Sequence, residues 1–280
     1  MQDSEITQAI QANVQAALTE DLGSGDLTAQ LIPAERIAHA TLIVREDAVL
    51  CGQPWFTACF NALDPKIQID WYVAEGASFA VNTTLCAITG NARAILSAER
   101  PALNFLQTLS GTATITRRYV QAIAGTGAVI MDTRKTLPGL RWAQKYAVKI
   151  GGGENQRIGL FDGVLIKENH IAAAGGISAA LATAQQQTTP GISIQIEVES
   201  LAELDQALAA GAQLILLDNF DLEQLRAAAQ LTNKRAILEA SGGISLANVR
   251  AIAECGVDRI SIGGLTKHMQ AIDFSLLIKT

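Results

Sequence analysis

Aromatic residues make up only 5% of the 280 residues, and there are six prolines and three histidines. Alanine, leucine and isoleucine must therefore do most of the packing. The four cysteines, Cys51, Cys59, Cys86 and Cys255, lie far apart and form no CxxC pair, which excludes a zinc site or a disulfide framework and leaves buried thiols. Basic residues form no run, and the net charge is -6, which excludes a nucleic-acid surface and makes any anion site local. The first residues carry Asp3 and Glu5 where a secretory signal would be positive, and no apolar stretch follows them. Ile171 to Ile196 contains no charge, but Gly175-Gly176, Gln185 to Gln187 and Thr188-Thr189-Pro190 interrupt it, so a membrane span is not expected. With 49% apolar and 17% charged residues and no low-complexity tract, the chain reads as a compact cytoplasmic protein.

Two textures divide what is there. Ile6, Ile10, Val14, Ala17, Leu18 and Leu22 share one helical stripe that Gly23 ends, so a helix is expected over residues 4–22. Strand-like alternation follows at Ala38–Val44 and Ile67–Val73, then a helix at Ala92–Leu109 that Pro101 kinks or restarts. After Gly111, short apolar runs alternate with helical patterns in a βαβα rhythm. Strands are expected at Val129–Asp132, Gly163–Lys167, Ile192–Val198, Leu214–Asp218, Ala236–Glu239 and Arg259–Ile262, with helices such as Leu201–Ala210 and Leu246–Glu254. Apolar strands joined by crossover helices indicate a parallel sheet buried on both faces, in a barrel or a doubly wound fold.

Polar residues gather where these strands end. Asp132 and Arg134 follow the first run, Lys167 closes the second, Glu197 lies near the end of the third and Asp218 ends the fourth. Ser241-Gly242-Gly243 and Gly263-Gly264 follow the last two. In a barrel those ends converge on one mouth, where barrel enzymes keep their chemistry. Arg134 and Lys135 can grip an anion, and a guanidinium suits a carboxylate through two parallel bonds. Lys167 has two chemistries open to it, anion pairing or Schiff-base formation. Glu197 and Asp218 suit magnesium, a cation or sugar hydroxyls. The glycine pairs suit phosphate, the first of them ahead of a helix whose amides could contribute. Three successive glycines at Gly151 to Gly153 exceed what capping needs and suggest a close backbone approach or an unusual turn. His170 and His268 have no partner at i,i+4, so hydrogen bonding suits them better than metal ligation.

Eight blocks carry a resemblance: EDLGSGD (Glu20–Asp26), ERPALNFLQTLSG (Glu99–Gly111), DTRKTLPGLR (Asp132–Arg141), KYAVKIGGGENQRIGL (Lys145–Leu160), LIKENH, LDNF, EASGGI and SIGGLTKH. In this order and spacing the sequence resembles the quinolinate phosphoribosyltransferases over nearly its whole length. The resemblance implies an α/β fold: an N-terminal α+β open-sandwich domain, residues 1–111, completed by the tail 268–280, and an irregular seven-stranded TIM-like α/β barrel, residues 112–267. It implies transfer of the phosphoribosyl group of phosphoribosyl pyrophosphate (PRPP) to quinolinate, with decarboxylation to nicotinate mononucleotide, in NAD biosynthesis. It further implies a homodimer in which Arg100 reaches into the partner's site. Arg100, Thr133, Arg134, Gln156, Arg157 and Lys167 match the quinolinate positions, and Lys135, Ser241, Gly242, Gly243, Ile262, Gly263 and Gly264 those around PRPP and its phosphates. Lys135, Lys167, Glu197 and Asp218 are the implied catalytic groups, with Glu197 and Asp218 holding Mg2+ directly or through water.

At Gln156 the sequence departs from many family members, which carry histidine there. Glutamine can donate a hydrogen bond to a carboxylate but carries no charge, so weaker pH dependence near 6–7 is expected. The alternatives are a nicotinate phosphoribosyltransferase-like enzyme taking one carboxylate, a molybdate-associated relative that binds without turnover, and a Schiff-base aldolase using Lys167.

Overall fold

The computed structural model describes residues 3–279; Met1, Gln2 and Thr280, which the expected domain boundaries include, lie outside the described residues. The chain divides into two compact units. One runs to Arg117, takes in Thr136–Gly152 and resumes at Leu265; the other comprises Arg118–Lys135 and Gly153–Gly264.

The first unit opens with helix α1 (Asp3–Leu22), whose inward residues include Val14 and Leu18, as the stripe requires. Gly23 ends it at φ +50°, donating to the Thr19 carbonyl. Strand β1 (Ile37–Val44) buries Ala38, Ala40, Leu42 and Val44 on alternate positions. β2 (Ala48–Val49) and α2 (Gln53–Leu63) follow. No side chain of its own caps α2; the Glu75 carboxylate instead accepts the backbone N–H groups of Gly52 and Gln53 at 2.8 and 3.2 Å. Next come β3 (Gln68–Trp71), β4 (Ser78–Phe79), β5 (Thr84–Asn91) and the 31-residue helix α3 (Ala92–Ala122).

The scarce aromatics concentrate in this unit: Trp55, Phe56 and Phe60 are wholly buried, with Phe56 edge-on to Trp71 at 5.2 Å between centroids. All four cysteines are buried free thiols.

Helix α3 runs past Leu109, where the expected helix ends, and continues through Gly111. Gly111 is required there for packing, because an added Cβ would collide with the Gln270 carbonyl. An ordinary mid-helix Gly→Ala exchange stabilises by about 1 kcal/mol. Here overpacking against backbone reverses the sign, and Gly111→Ala is expected to destabilise by about 1–3 kcal/mol in denaturant unfolding; an unchanged or raised midpoint would refute the contact.

β6 (Val129–Met131) starts the second unit's sheet, and α4 (Arg141–Ile150) belongs to the first unit. The three-glycine run then does two jobs. Gly151 is buried so close to Ala113 and Thr116 that a Cβ would fall 2.7 Å from the Ala113 carbonyl oxygen, and Gly152 takes φ +95°.

Beyond it lie β7 (Gly163–Ile166), α5 (Glu168–Ala174), α6 (Ile177–Gln187), β8 (Ser193–Val198), α7 (Leu201–Ala209) and β9 (Leu214–Asp218). After these come α8 (Leu222–Thr232), β10 (Ile237–Ser241), α9 (Val249–Ala253), β11 (Arg259–Ser261), α10 (Gly264–Lys267) and β12 (Phe274–Lys279). The uncharged stretch from Ile171 is thus broken by Gly175 and Gly176, both at positive φ, into two helices and a strand. Among the described residues no helix is long and apolar enough to cross a membrane.

Two main sheets result. The antiparallel one has the order β12-β1-β5-β3. The parallel one has the order β6-β11-β10-β9-β8-β7, so every strand in it points the same way. Among the described residues six strands form this sheet, and beyond its β6 edge Glu154 makes one parallel bridge to Met131.

Candidate active site

A parallel sheet brings all its C-terminal strand ends to one edge, and the second unit's polar residues collect there. Asp218 and Ser241 close β9 and β10 and are register partners. Glu197 is the penultimate residue of β8, Lys167 follows β7, Thr133 to Lys135 follow β6, and Ile262 follows β11.

Lys167 is held at both ends. Its backbone N–H donates to His170 Nδ1 at 3.0 Å as α5 begins, which gives the histidine the hydrogen-bonding role expected of it. Its Nζ donates to both Glu197 oxygens, at 3.0 and 2.7 Å. Asp218 stands beside this pair. Burial and the Glu197 charge push its carboxyl above the usual range, against the opposing pull of Lys167 and Lys135. Glu199 is raised as well, by Glu168 first and then by burial, Glu203, Asp218 and Glu197.

The loop after β6 packs against the end of β11. A Cβ on Gly263 would fall 2.8 Å from Lys135 Cδ and 3.5 Å from Thr133 Oγ1, so only a glycine there leaves room for the lysine stem. Directly after β10, Gly242 sits at φ +96°, and a Cβ on it would strike the side chain of Asn219, which follows β9. Asn219 is itself left-handed at φ +58° and donates through Nδ2 to Asp218 at 2.8 Å. The expected helix after this loop starts later than Leu246, at Val249, because Asn248 bonds back to Ser245 and Gly243 and holds the intervening chain as a turn. Gly242 and Gly243, both at positive φ, therefore form a concave loop of their own rather than a helix N-terminus.

Burial, and after it the charge of Arg134, draws Arg157 below the usual guanidinium value, while Asp162 opposes. Arg157 Nη1 donates to the Gly163 carbonyl at 2.8 Å. The segment carrying Arg157 is anchored by Asp132, which is wholly buried and accepts Asn155 Nδ2 at 2.6 Å and the Gln156 N–H at 2.8 Å. Gln156 turns its amide nitrogen toward Glu239, and it also lies 3.4 Å from Gln195 Oε1.

The family models decide what this constellation belongs to. Residues 112–277 match the quinolinate phosphoribosyl transferase C-terminal domain, and residues 26–110 match the corresponding N-terminal domain. The chain belongs to the quinolinate phosphoribosyltransferase family. It is 41% identical over 278 residues to nicotinate-nucleotide pyrophosphorylase (carboxylating) of Mycobacterium leprae, covering 96% of each chain. It is 40% identical to the probable enzyme of that name from Bacillus subtilis, covering 92% of this chain and 89% of the relative. The solved nicotinate-nucleotide pyrophosphorylase of Francisella tularensis superposes with a TM-score of 0.94 at 45% identity, over 97% and 96% of the two chains.

Within this phosphoribosyltransferase frame, one residue matched to the quinolinate positions stands outside the second unit. Arg100 lies on α3 in the first unit, exposed, with Glu99 3.9 Å away. Three residues that sequence reasoning did not assign to the site are Asn219, Gln195 and Glu239. The last two carried a signal: each lies two residues before an assigned group, Glu197 or Ser241, and so on the same face of its strand.

Proposed function

We propose that this chain transfers the phosphoribosyl group of PRPP to quinolinate, releasing pyrophosphate and carbon dioxide and forming nicotinate mononucleotide for NAD synthesis. The observation that carries this reading is the set of cations at the C-terminal ends of the parallel strands: half-buried Arg157, which feels the charge of Arg134, and Lys167, bonded to Glu197 beside Asp218, on which Lys135 also acts. A pyridine dicarboxylate offers two carboxylates that guanidiniums grip through forked bonds.

In this reading Arg134, Arg157, Thr133 and Lys167 orient quinolinate, with Gln156, whose amide is taken up by Glu239 and Gln195, acting through Arg157 rather than touching the ligand, and with Arg100 supplied by the second subunit of a homodimer. Lys135, the Ser241–Gly243 loop and Ile262 to Gly264 hold the phosphates of PRPP. Glu197 and Asp218 are the residues that would hold magnesium. Among the described residues no cage of three or more His, Cys, Asp or Glu side chains is gathered. Two carboxylates nonetheless fit magnesium, which takes one or two of them and completes its shell with substrate phosphate and water. When bound, it would neutralise charge on the pyrophosphate.

The pyridine nitrogen attacks ribose C1 as the bond to pyrophosphate breaks, and the carboxylates of Glu197 and Asp218 face the positive charge that develops there. Alkylation leaves the ring nitrogen cationic. As carbon dioxide departs, the electron pair of its bond stays at ring C2 as an ylide stabilised by the adjacent cationic nitrogen, and C2 then takes a proton from water to give nicotinate mononucleotide.

The six strands and the Glu154 bridge support an irregular seven-stranded barrel as the frame for this site. A cytoplasmic, two-subunit enzyme is the setting we propose. Incubation with quinolinate, PRPP and magnesium is expected to release carbon dioxide and nicotinate mononucleotide in equal amounts, whereas nicotinate in place of quinolinate gives neither. Mononucleotide formed from nicotinate without carbon dioxide would overturn the assignment.

A further inference from the structure

Beneath the strand ends, the second unit contains a polar cluster that the reaction as described does not use. Glu239, in the middle of β10, has no exposed surface. Its Oε2 accepts Gln195 Nε2 from β8 at 3.0 Å, and its Oε1 accepts Gln156 Nε2. Gln156 and Gln195 also approach each other at 3.4 Å, which closes a triangle of two amides and one carboxyl. Ser261 on β11 adds a further bond, and burial pushes the Glu239 carboxyl above its usual range. β8 and β10 are separated by β9, so roughly 10 Å lies between them in a flat sheet. The Gln195 and Glu239 side chains meet across that gap over the intervening strand.

Such a cluster is costly where Ile196, Ile215, Leu238 and Ile260 show that apolar packing serves the same strands. Its position explains why it is there. Gln156 immediately precedes Arg157, and its backbone N–H is already fixed by Asp132. The bond from its side chain to Glu239 adds a second, independent anchor to the same residue. Together they determine where the chain leaves Gln156 and hence where the Arg157 guanidinium lies.

We infer that Glu239 is a positioning residue for the quinolinate half of the site, acting through the Gln156 amide to set the place of Arg157. The inference rests on the reading of Arg157 as a quinolinate ligand. It also gives the glutamine at position 156 a use that needs no charge. An amide offers two N–H groups, one for Glu239 and one directed at Gln195, and keeps both at every pH.

The test is a kinetic cycle with both substrates varied. Glu239→Gln replaces an acceptor oxygen by an NH2 that faces the Gln156 donor. It is expected to raise KM for quinolinate about tenfold while kcat and the KM for PRPP stay within about twofold. Gln156→Ala is expected to give the same rise alone, and Glu239→Gln added to it to change KM by less than about twofold. If Glu239→Gln fails to fold, Gln156→Ala together with Glu239→Leu, which fills the site with apolar volume, provides the same comparison. Equal rises in both KM values, no rise, or effects that multiply in the double variant would overturn the inference. Arg157→Ala serves as the control: if it fails to single out quinolinate, the ligand assignment has failed, and if it does so while Glu239→Gln does not, only the inference has.

Discussion

Arg157→Ala is expected to raise the KM for quinolinate about 100-fold and to move the KM for PRPP by less than about threefold. A hydrogen bond to a charged group contributes about 1.5–3 kcal/mol, and a forked guanidinium–carboxylate contact makes two. Losing about 3 kcal/mol of ground-state binding corresponds to roughly two powers of ten. The fold gives little reason for a collateral loss of stability, because Arg157 is only partly buried and its bond to the Gly163 carbonyl is one of several that hold the loop. Arg134→Ala follows the same pattern. Steady-state kinetics with each substrate varied at saturating levels of the other decide the matter, and equal rises in both KM values would contradict the roles given to these arginines.

Asp218→Asn is expected to lower kcat by about 100-fold or more without lowering thermal stability at neutral pH. Removing one group that faces charge developing in a transition state costs about 3 kcal/mol, and each 1.36 kcal/mol is tenfold in rate. The stability half follows from the sign of the shift. The Asp218 carboxyl is raised in the folded protein, by burial and then by Glu197. The folded state therefore holds this proton more tightly than the unfolded chain, so stability from this group is present at acid pH and is lost as pH rises through the raised value. Asparagine carries no charge and escapes that loss. Unfolding at pH 4 and pH 7 without magnesium should show a smaller pH dependence in the variant than in the parent. A variant that keeps a tenth of its kcat, or that melts well below the parent at pH 7, would contradict the assignment.

The parallel sheet is legible in the sequence because each of its strands is an apolar run that ends in a charged residue or a glycine pair. Asp218 closes β9 and Lys167 follows β7 as that pattern implies. β10 extends to Ser241, past the expected end at Glu239, because a polar pair at spacing two reads as a strand end when one member is in fact interior. The same ambiguity hides Gln195 and Glu239: nothing in a linear pattern tells a carboxyl aimed at solvent from one aimed at another side chain two strands away. The placing of the segment that carries Arg157 cannot be read from spacing at all, because it is held by Asp132, a contact between residues more than twenty positions apart.

The pairing of β12 with β1 bears on how the protein is made. His39 lies opposite Lys279, so a strand formed early in synthesis waits for one that follows the whole second unit in the chain. On the ribosome, β1 would keep an uncovered edge throughout that interval, which invites capture by chaperones or by other nascent copies, whereas Arg118 to Gly264 can complete its six strands first.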